Sequence, residues 1–204
     1  GFIAQGMARS TGKPAVFFAT SGPGATNTLT AIADAKLDSV PVICITGQVP
    51  RALIGSDAFQ EVDIYGMSIP ATKHNFLVRS PEELPRVIAE AFSIAVSDRP
   101  GPVLVDIPRD VQVAPVEVDG LPEPGVATPM PTPDSAALAR AAELLNAAER
   151  PLLLLGGGTS SPEAAAAVLE FMEQQRIPAV MSLRGLGVVP HGHELAVGML
   201  GMHG

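Results

Sequence analysis

The apolar run Ala15-Val16-Phe17-Phe18-Ala19 leads straight into Thr20-Ser21-Gly22-Pro23-Gly24-Ala25-Thr26-Asn27-Thr28, and a helical pattern follows. A buried strand that enters a Gly-Pro-Gly turn and then a helix makes a crevice at the strand's carboxyl end, where open α/β sheets bind ligands. Gly22 and Gly24 carry no Cβ, so their backbone can approach a flat ring or an anion closely. Pro23 presets φ and gives up an N–H that a helix start leaves unpaired anyway. Taken by itself, such a turn reads more readily as an ordinary strand–turn–helix joint than as a site.

The same alternation runs on through the chain. Apolar runs predict strands at 15–19, 42–46, 75–78 and 103–107, and helical spacing predicts helices at 2–10, 25–36 and 82–97. Ser80 is a capping residue for the last of these, with Pro81 at its first position and carboxylates in its first turn. Strands alternating with helices predict a parallel sheet covered by helices. Residues 112–133 break the pattern: they hold six of the 20 prolines and few large apolar groups, which reads as a semi-rigid linker.

A second α/β unit is predicted from Asp134 onward. It has a helix at 136–148 capped by Asp134 or Ser135, a strand at 151–155 ending in Gly156-Gly157-Gly158, a helix at 161–175 and a strand at 179–182. The expected organisation is therefore a first α/β domain over 1–111, a linker over 112–133, and the first part of a second domain over 134–204. Phe2, Ile3, Ala4, Met7 and Ala8 read as a helix already under way, and the sequence stops directly after Met202-His203-Gly204. The chain is therefore expected to be an internal fragment of a longer protein.

Composition narrows the class. Apolar residues at 47% with charged residues at 17% permit a sizeable core and argue against disorder. No apolar run approaches the ~20 residues of a membrane span, so no membrane partner is expected. The single cysteine, Cys44, lies in an apolar run and is expected to be a small buried hydrophobe, which fits a reducing, cytoplasmic setting. A net charge of −8 argues against nucleic acid, which needs a basic face.

Several motifs in order are more specific than any one. Ser21-Gly22-Pro23-Gly24-Ala25-Thr26-Asn27 is followed by Ile45-Thr46-Gly47-Gln48-Val49-Pro50, Asp57-Ala58-Phe59-Gln60-Glu61 and Arg99-Pro100-Gly101-Pro102 running into Val103-Leu104-Val105-Asp106-Ile107-Pro108. Leu154-Leu155-Gly156-Gly157-Gly158 and Leu200-Gly201-Met202-His203-Gly204 come later. Together they resemble the thiamine-diphosphate enzymes, most closely the acetolactate synthase (acetohydroxyacid synthase) large-subunit family. The resemblance covers nearly the whole chain.

It implies a parallel-sheet domain of the pyrimidine-binding type, followed by part of a Rossmann-like middle domain that takes FAD. The implied reaction decarboxylates pyruvate and transfers the hydroxyethyl unit to a second 2-ketoacid, in branched-chain amino-acid biosynthesis. The implied cofactors are thiamine diphosphate, Mg2+ and FAD. The implied assembly is a homodimer or higher, with a possible regulatory small subunit. The family glutamate that pairs with a ring nitrogen of the cofactor belongs upstream of Phe2. The Gly-Asp-Gly motif that holds the diphosphate and Mg2+ does not occur in these residues, so they are not expected to be active alone.

Residue by residue, Pro23, Gly24 and Asn27 resemble the turn beside the cofactor pyrimidine, and Phe59 and Gln60 the loop pair that reaches over it. Gln60 would hydrogen-bond cofactor or substrate oxygen, and Phe59 would exclude water; their alternatives are an exposed loop residue and a core aromatic. Arg99, Gly156, Gly157, Gly158, Ser182, Leu183, Leu200, Gly201, Met202 and His203 resemble FAD contacts. Arg109 stands where the family more often has lysine, and would line the entrance for 2-ketoacids; its alternative is a surface charge at a strand end.

Other polar groups read plainly. His191 and His193 are surface residues, no metal cluster being visible, and Asp57 and Glu61 belong to a short helix around Phe59. Two further readings stay open: another thiamine-diphosphate carboligase or decarboxylase, such as glyoxylate carboligase or pyruvate oxidase, and a non-catalytic nucleotide-binding module.

Overall fold

The computed structural model describes residues 1–117, 120–202 and 204. They form two compact units, Gly1–Met130 and Pro131–Gly204, each α/β as the strand–helix alternation predicts.

In the first unit four parallel strands lie in the order β1-β2-β4-β3: β1 (Ala15–Ala19), β2 (Val42–Gln48), β3 (His74–Leu77) and β4 (Val103–Pro108). The helices are α1 (Phe2–Thr11), α2 (Pro23–Thr26), α3 (Leu29–Leu37), α4 (Ile64–Ser68), α5 (Leu84–Val96) and α6 (Arg109–Val113). The central strand β4 is buried throughout, which is why its sequence reads as an almost continuous apolar run.

Its alternate residues serve two cores. Val103, Val105 and Ile107 join Ile43 and pack on Val87, Ala91 and Ala95 of α5. Leu104 and Cys44 face the other way, against Ala25, Ile32 and Ile64. Each fully buried aliphatic side chain contributes ~1.5–3 kcal/mol, so both layers hold the strand in place. Cys44 is fully buried, as expected, and burial pushes its thiol up to about 12, so it stays protonated.

Local chemistry moved some boundaries. The single helix predicted over 25–36 is two, α2 and α3, parted at Asn27 and Thr28. Thr26 Oγ1 and Asn27 Nδ2 donate to the Pro23 carbonyl, and Thr28 Oγ1 donates to that of Ala25, competing with the helical ladder. Helix α5 begins at Leu84 rather than near 82, and Ser80 does not cap it. Instead the Glu83 carboxylate accepts from the backbone N–H groups of Arg79 and Ser80, holding the preceding turn.

Part of the proline-rich stretch lies along α5. Ser93 Oγ donates to the Val126 carbonyl at 2.9 Å, and the Thr128 N–H donates to Ser97 Oγ at 2.9 Å.

The second unit has three parallel strands in the order β5-β6-β7: β5 (Leu153–Leu155), β6 (Ala179–Met181) and β7 (Ala196–Met199), with helices α7 (Ser135–Ala147) and α8 (Pro162–Gln175). Strand β7 escaped the sequence reading because Ala196-Val197-Gly198-Met199 is short and holds a glycine at φ 122°. Asp134 caps α7, accepting from the N–H groups of Ala136 and Ala137, and Ser161 caps α8.

Candidate functional site

All four strands of the first sheet run the same way, so their carboxyl ends bring three segments together: the turn after β1, the residues 49–62 after β2, and the start of α6 after β4. At this edge open α/β sheets bind ligands.

The β1 turn is shaped by glycine. Gly22 has φ 57° and lies on the backbone of Gln60; a Cβ there would stand 2.7 Å from the Gln60 carbonyl oxygen. A Cβ on Gly24 would stand 2.5 Å from Thr20 Cγ2, and one on Gly47 would be 3.6 Å from the Ser21 nitrogen. Pro23 and Asn27 are exposed on the outer side of this turn. Asn27 is engaged there as well, since its Nδ2 donates to the Pro23 carbonyl at 2.7 Å.

Residues 49–62 form a turn-rich loop, and the short helix expected around Phe59 is absent. The Glu61 carboxylate does not serve a helix. It gathers the backbone N–H groups of Gly55, Ser56 and Ala58 at 2.5, 3.2 and 3.3 Å. Those bonds, the Gly55 one foremost, hold its pKa below the usual carboxylate value. Phe59 is 90% exposed, which removes the core-aromatic alternative, and Gln60 is exposed on left-handed backbone at φ 60°.

Beneath the loop lies a group that the sequence reading did not single out. Asp106, 1% exposed, accepts from Thr46 Oγ1 at 2.7 Å and Gln48 Nε2 at 3.0 Å. Burial pushes it up to about 6, opposed by those two hydrogen bonds and reinforced by the Asp63 charge. A carboxylate set in an otherwise apolar strand was the available signal. Arg51 fastens the rim, with Nε donating to Asp110 Oδ2 at 2.7 Å and Nη1 to the Arg79 carbonyl at 2.6 Å. Arg109, exposed, opens α6 at the same edge.

Arg99 is elsewhere. It precedes β4, at the amino ends of the strands, and its guanidinium is engaged within the first unit. Nε donates to Ser39 Oγ at 2.7 Å and Nη2 to the Leu37 carbonyl at 3.1 Å, tying the α5–β4 junction to the α3–β2 turn.

In the second unit the predicted dinucleotide residues share one sheet edge. Gly156–Gly158, Ser182–Leu183 and Leu200–Met202 follow the carboxyl ends of β5, β6 and β7. The Ser182 N–H donates to the Leu155 carbonyl at 2.9 Å, and the Leu200 N–H to that of Met181 at 2.7 Å. A Cβ on Gly185 would stand 2.3 Å from the Leu155 carbonyl oxygen, whereas one on Gly158 would meet nothing within 4 Å. His203 lies outside the described residues.

The histidine loop is structural. His193 Nε2 pairs with Glu173 Oε1 at 3.0 Å, its Nδ1 accepts the Leu195 N–H at 3.2 Å, and Arg176 pairs with Glu194. Among the described residues no three His, Cys, Asp or Glu side chains gather as a metal site, and no helix is long and apolar enough to cross a membrane.

The first edge suits the side of a flat heteroaromatic ring, offering glycine backbone and an exposed proline with a glutamine-bearing loop above. The second offers strand-end glycine backbone. The family described as "Thiamine pyrophosphate enzyme, N-terminal TPP binding domain" matches residues 1–67, and "Thiamine pyrophosphate enzyme, central domain" matches residues 138–204. The chain is 58% identical, over its whole length, to the acetolactate synthase isozyme 1 large subunit of Escherichia coli K12, covering 36% of it. It is 49% identical over its whole length to the acetolactate synthase large subunit of Corynebacterium glutamicum, covering 33% of that protein. It is also 50% identical, over 98% of its length, to an acetolactate synthase of Arthrospira platensis, of which it covers 36%. The chain thus spans about a third of the curated relatives it matches.

Proposed function

Since the chain belongs to the thiamine pyrophosphate enzymes, we propose that the subunit carrying it is the catalytic subunit of an acetolactate synthase, which decarboxylates pyruvate and transfers the two-carbon unit to a second 2-ketoacid. The observation that carries this reading is the similarity to acetolactate synthase large subunits along the whole chain. The site geometry supports it, because Gly22 and Gln60 bring the turn and the loop into contact at the ligand-binding edge of the sheet.

Thiamine diphosphate, when bound, supplies the electron sink for carbanion chemistry. The residues of this chain bind and shield. Pro23, Gly24 and Asn27 present backbone and a flat apolar edge to the pyrimidine side. Gln60 donates its side-chain amide toward cofactor or substrate oxygen, and the exposed Phe59 ring excludes water over the reacting centre. Arg109 places a cation at the same edge for the 2-ketoacid carboxylate. FAD takes the strand-end residues of the second unit: Gly156, Gly157, Gly158, Ser182, Leu183, Leu200, Gly201, Met202 and His203. Arg99 contributes to FAD by family resemblance alone. Mg2+ is held by residues other than those described in this chain. Assembly as a homodimer or higher, with a regulatory small subunit, completes the reading.

The test is acetolactate formation from pyruvate by the complete subunit with thiamine diphosphate, Mg2+ and FAD. Product from glyoxylate but not from pyruvate would move the protein to a sister carboligase.

A further inference from the structure

We propose that Asp106 is a positioning residue, which orients the Gln48 side-chain amide so that it clamps both feet of the loop bearing Phe59 and Gln60. Its consequence for turnover rests on the loop's role proposed above; the clamp itself does not.

Gln48 ends β2, where the chain leaves the sheet, and the loop returns at Val62. The Gln48 Oε1 accepts the Val49 N–H at 2.9 Å, fixing the outgoing foot. Its Nε2 donates to the Val62 carbonyl at 2.8 Å, fixing the returning foot, and also to Asp106 Oδ2 at 3.0 Å. One amide therefore closes the loop on itself, and both hydrogens of its nitrogen are used. Asp106 stands on the neighbouring strand, with Thr46 and not Gln48 as its register partner. From there its acceptor-only carboxylate admits one orientation of the amide, nitrogen inward and oxygen toward Val49.

The site is closed to water: Asp106 is 1% and Gln48 6% exposed. Leu77 is paired beside Asp106 from β3, Cys44 lies on the same face of β2, and Asp63, beyond Val62, is the charged group acting on it. No cation pairs with Asp106 among the described residues, so Thr46 and Gln48 bear the compensation for a buried carboxylate. The loop tip depends on its feet. Glu61 folds residues 55–61 into one piece, and that piece rests on Gly22 through Gln60. A shift at Val62 is passed to Gln60 with little slack.

The test is amide hydrogen exchange of the complete subunit without substrate or cofactor. Asp106→Leu is expected to speed exchange at residues 54–62 at least tenfold, while Ile43 and Val105 stay within twofold. Asp106→Asn is expected to restore slow exchange, because its oxygen can face Gln48 while its amide nitrogen donates to the Thr46 hydroxyl. Gln48→Ala reads the same clamp if Asp106→Leu does not fold. In turnover, Asp106→Leu is expected to lower kcat about tenfold with KM for pyruvate within twofold. Unchanged loop exchange in Asp106→Leu or Gln48→Ala, or acceleration spread equally over β2 and β4, would overturn the proposal. If the wild-type subunit makes no acetolactate, the reaction reading fails while the exchange result still decides the clamp.

Discussion

Gly22 and Gln60 meet backbone to backbone, each at a positive φ, 57° and 60°. The contact joins the turn after β1 to the tip of the loop after β2, segments separated in sequence by α2, α3 and β2. It makes Gly22 irreplaceable for two separable reasons, which a comparison of glycines can divide.

Gly55 also has a positive φ, 83°, but a Cβ there meets nothing within 4 Å. Gly55→Ala is expected to lose about 1 kcal/mol from backbone strain alone. Gly22→Ala carries that strain and also pushes on the Gln60 carbonyl. It is expected to lose more stability and at least tenfold in turnover. Denaturant melts and steady-state rates on the two variants check this; equal effects would mean that the contact does not matter.

Phe59→Ala and Gln60→Ala are expected to leave stability within ~0.5 kcal/mol, because both side chains are exposed. Turnover of Gln60→Ala should fall roughly 10- to 100-fold, the worth of a ~1.5–3 kcal/mol hydrogen bond made to the reacting groups. Thermal melts beside initial rates distinguish this from a structural role, in which melting would shift and the rate would not.

Glu61→Gln removes the carboxylate that gathers three loop N–H groups. The Glu61 pKa is lowered in the fold, so its contribution is present above the usual carboxylate value and is lost as pH falls through the lowered one. The variant is expected to show faster exchange at Gly55, Ser56 and Ala58 at neutral pH, with an unchanged overall melting point. Slow exchange retained at these three amides would contradict it.

Asp106 shifts the other way, from 3.8 to about 6. The folded state holds its proton more tightly, so this group's contribution is most favourable below the unfolded value and declines as pH rises from about 4 to about 6. Asp106→Asn abolishes that decline. Against the variant, the wild type should lose on the order of 2–3 kcal/mol across the window. Parallel stability curves for the two proteins from pH 4 to 7 would show that Asp106 is hydrated in the fold.

Gly158→Ala separates flavin contact from folding. A Cβ there meets no protein atom within 4 Å, so the fold is expected to be unchanged. A dinucleotide lying on that backbone would be displaced, and the FAD dissociation constant should rise roughly tenfold, about 1.4 kcal/mol. Fluorescence titration of apo-protein checks this; an unchanged constant removes Gly158 from the FAD site.

The α/β class and the longer strands and helices were legible in the amino-acid order. Val103-Leu104-Val105 reads as a buried parallel strand because an apolar run with no polar face can only be covered on both sides. The Gly22-Pro23-Gly24 turn was legible because glycine and proline act on their own backbone. Tertiary structure alone decided what touches what. That Gln60 rests on Gly22, that Glu61 organises a loop instead of a helix, and that Arg99 is spent on Leu37 and Ser39 all depend on partners remote in sequence. Asp106 marks the boundary. Its oddity in an apolar strand was visible in the sequence, but its partners became Thr46 and Gln48 only through the register of β2 against β4, which sheet packing sets.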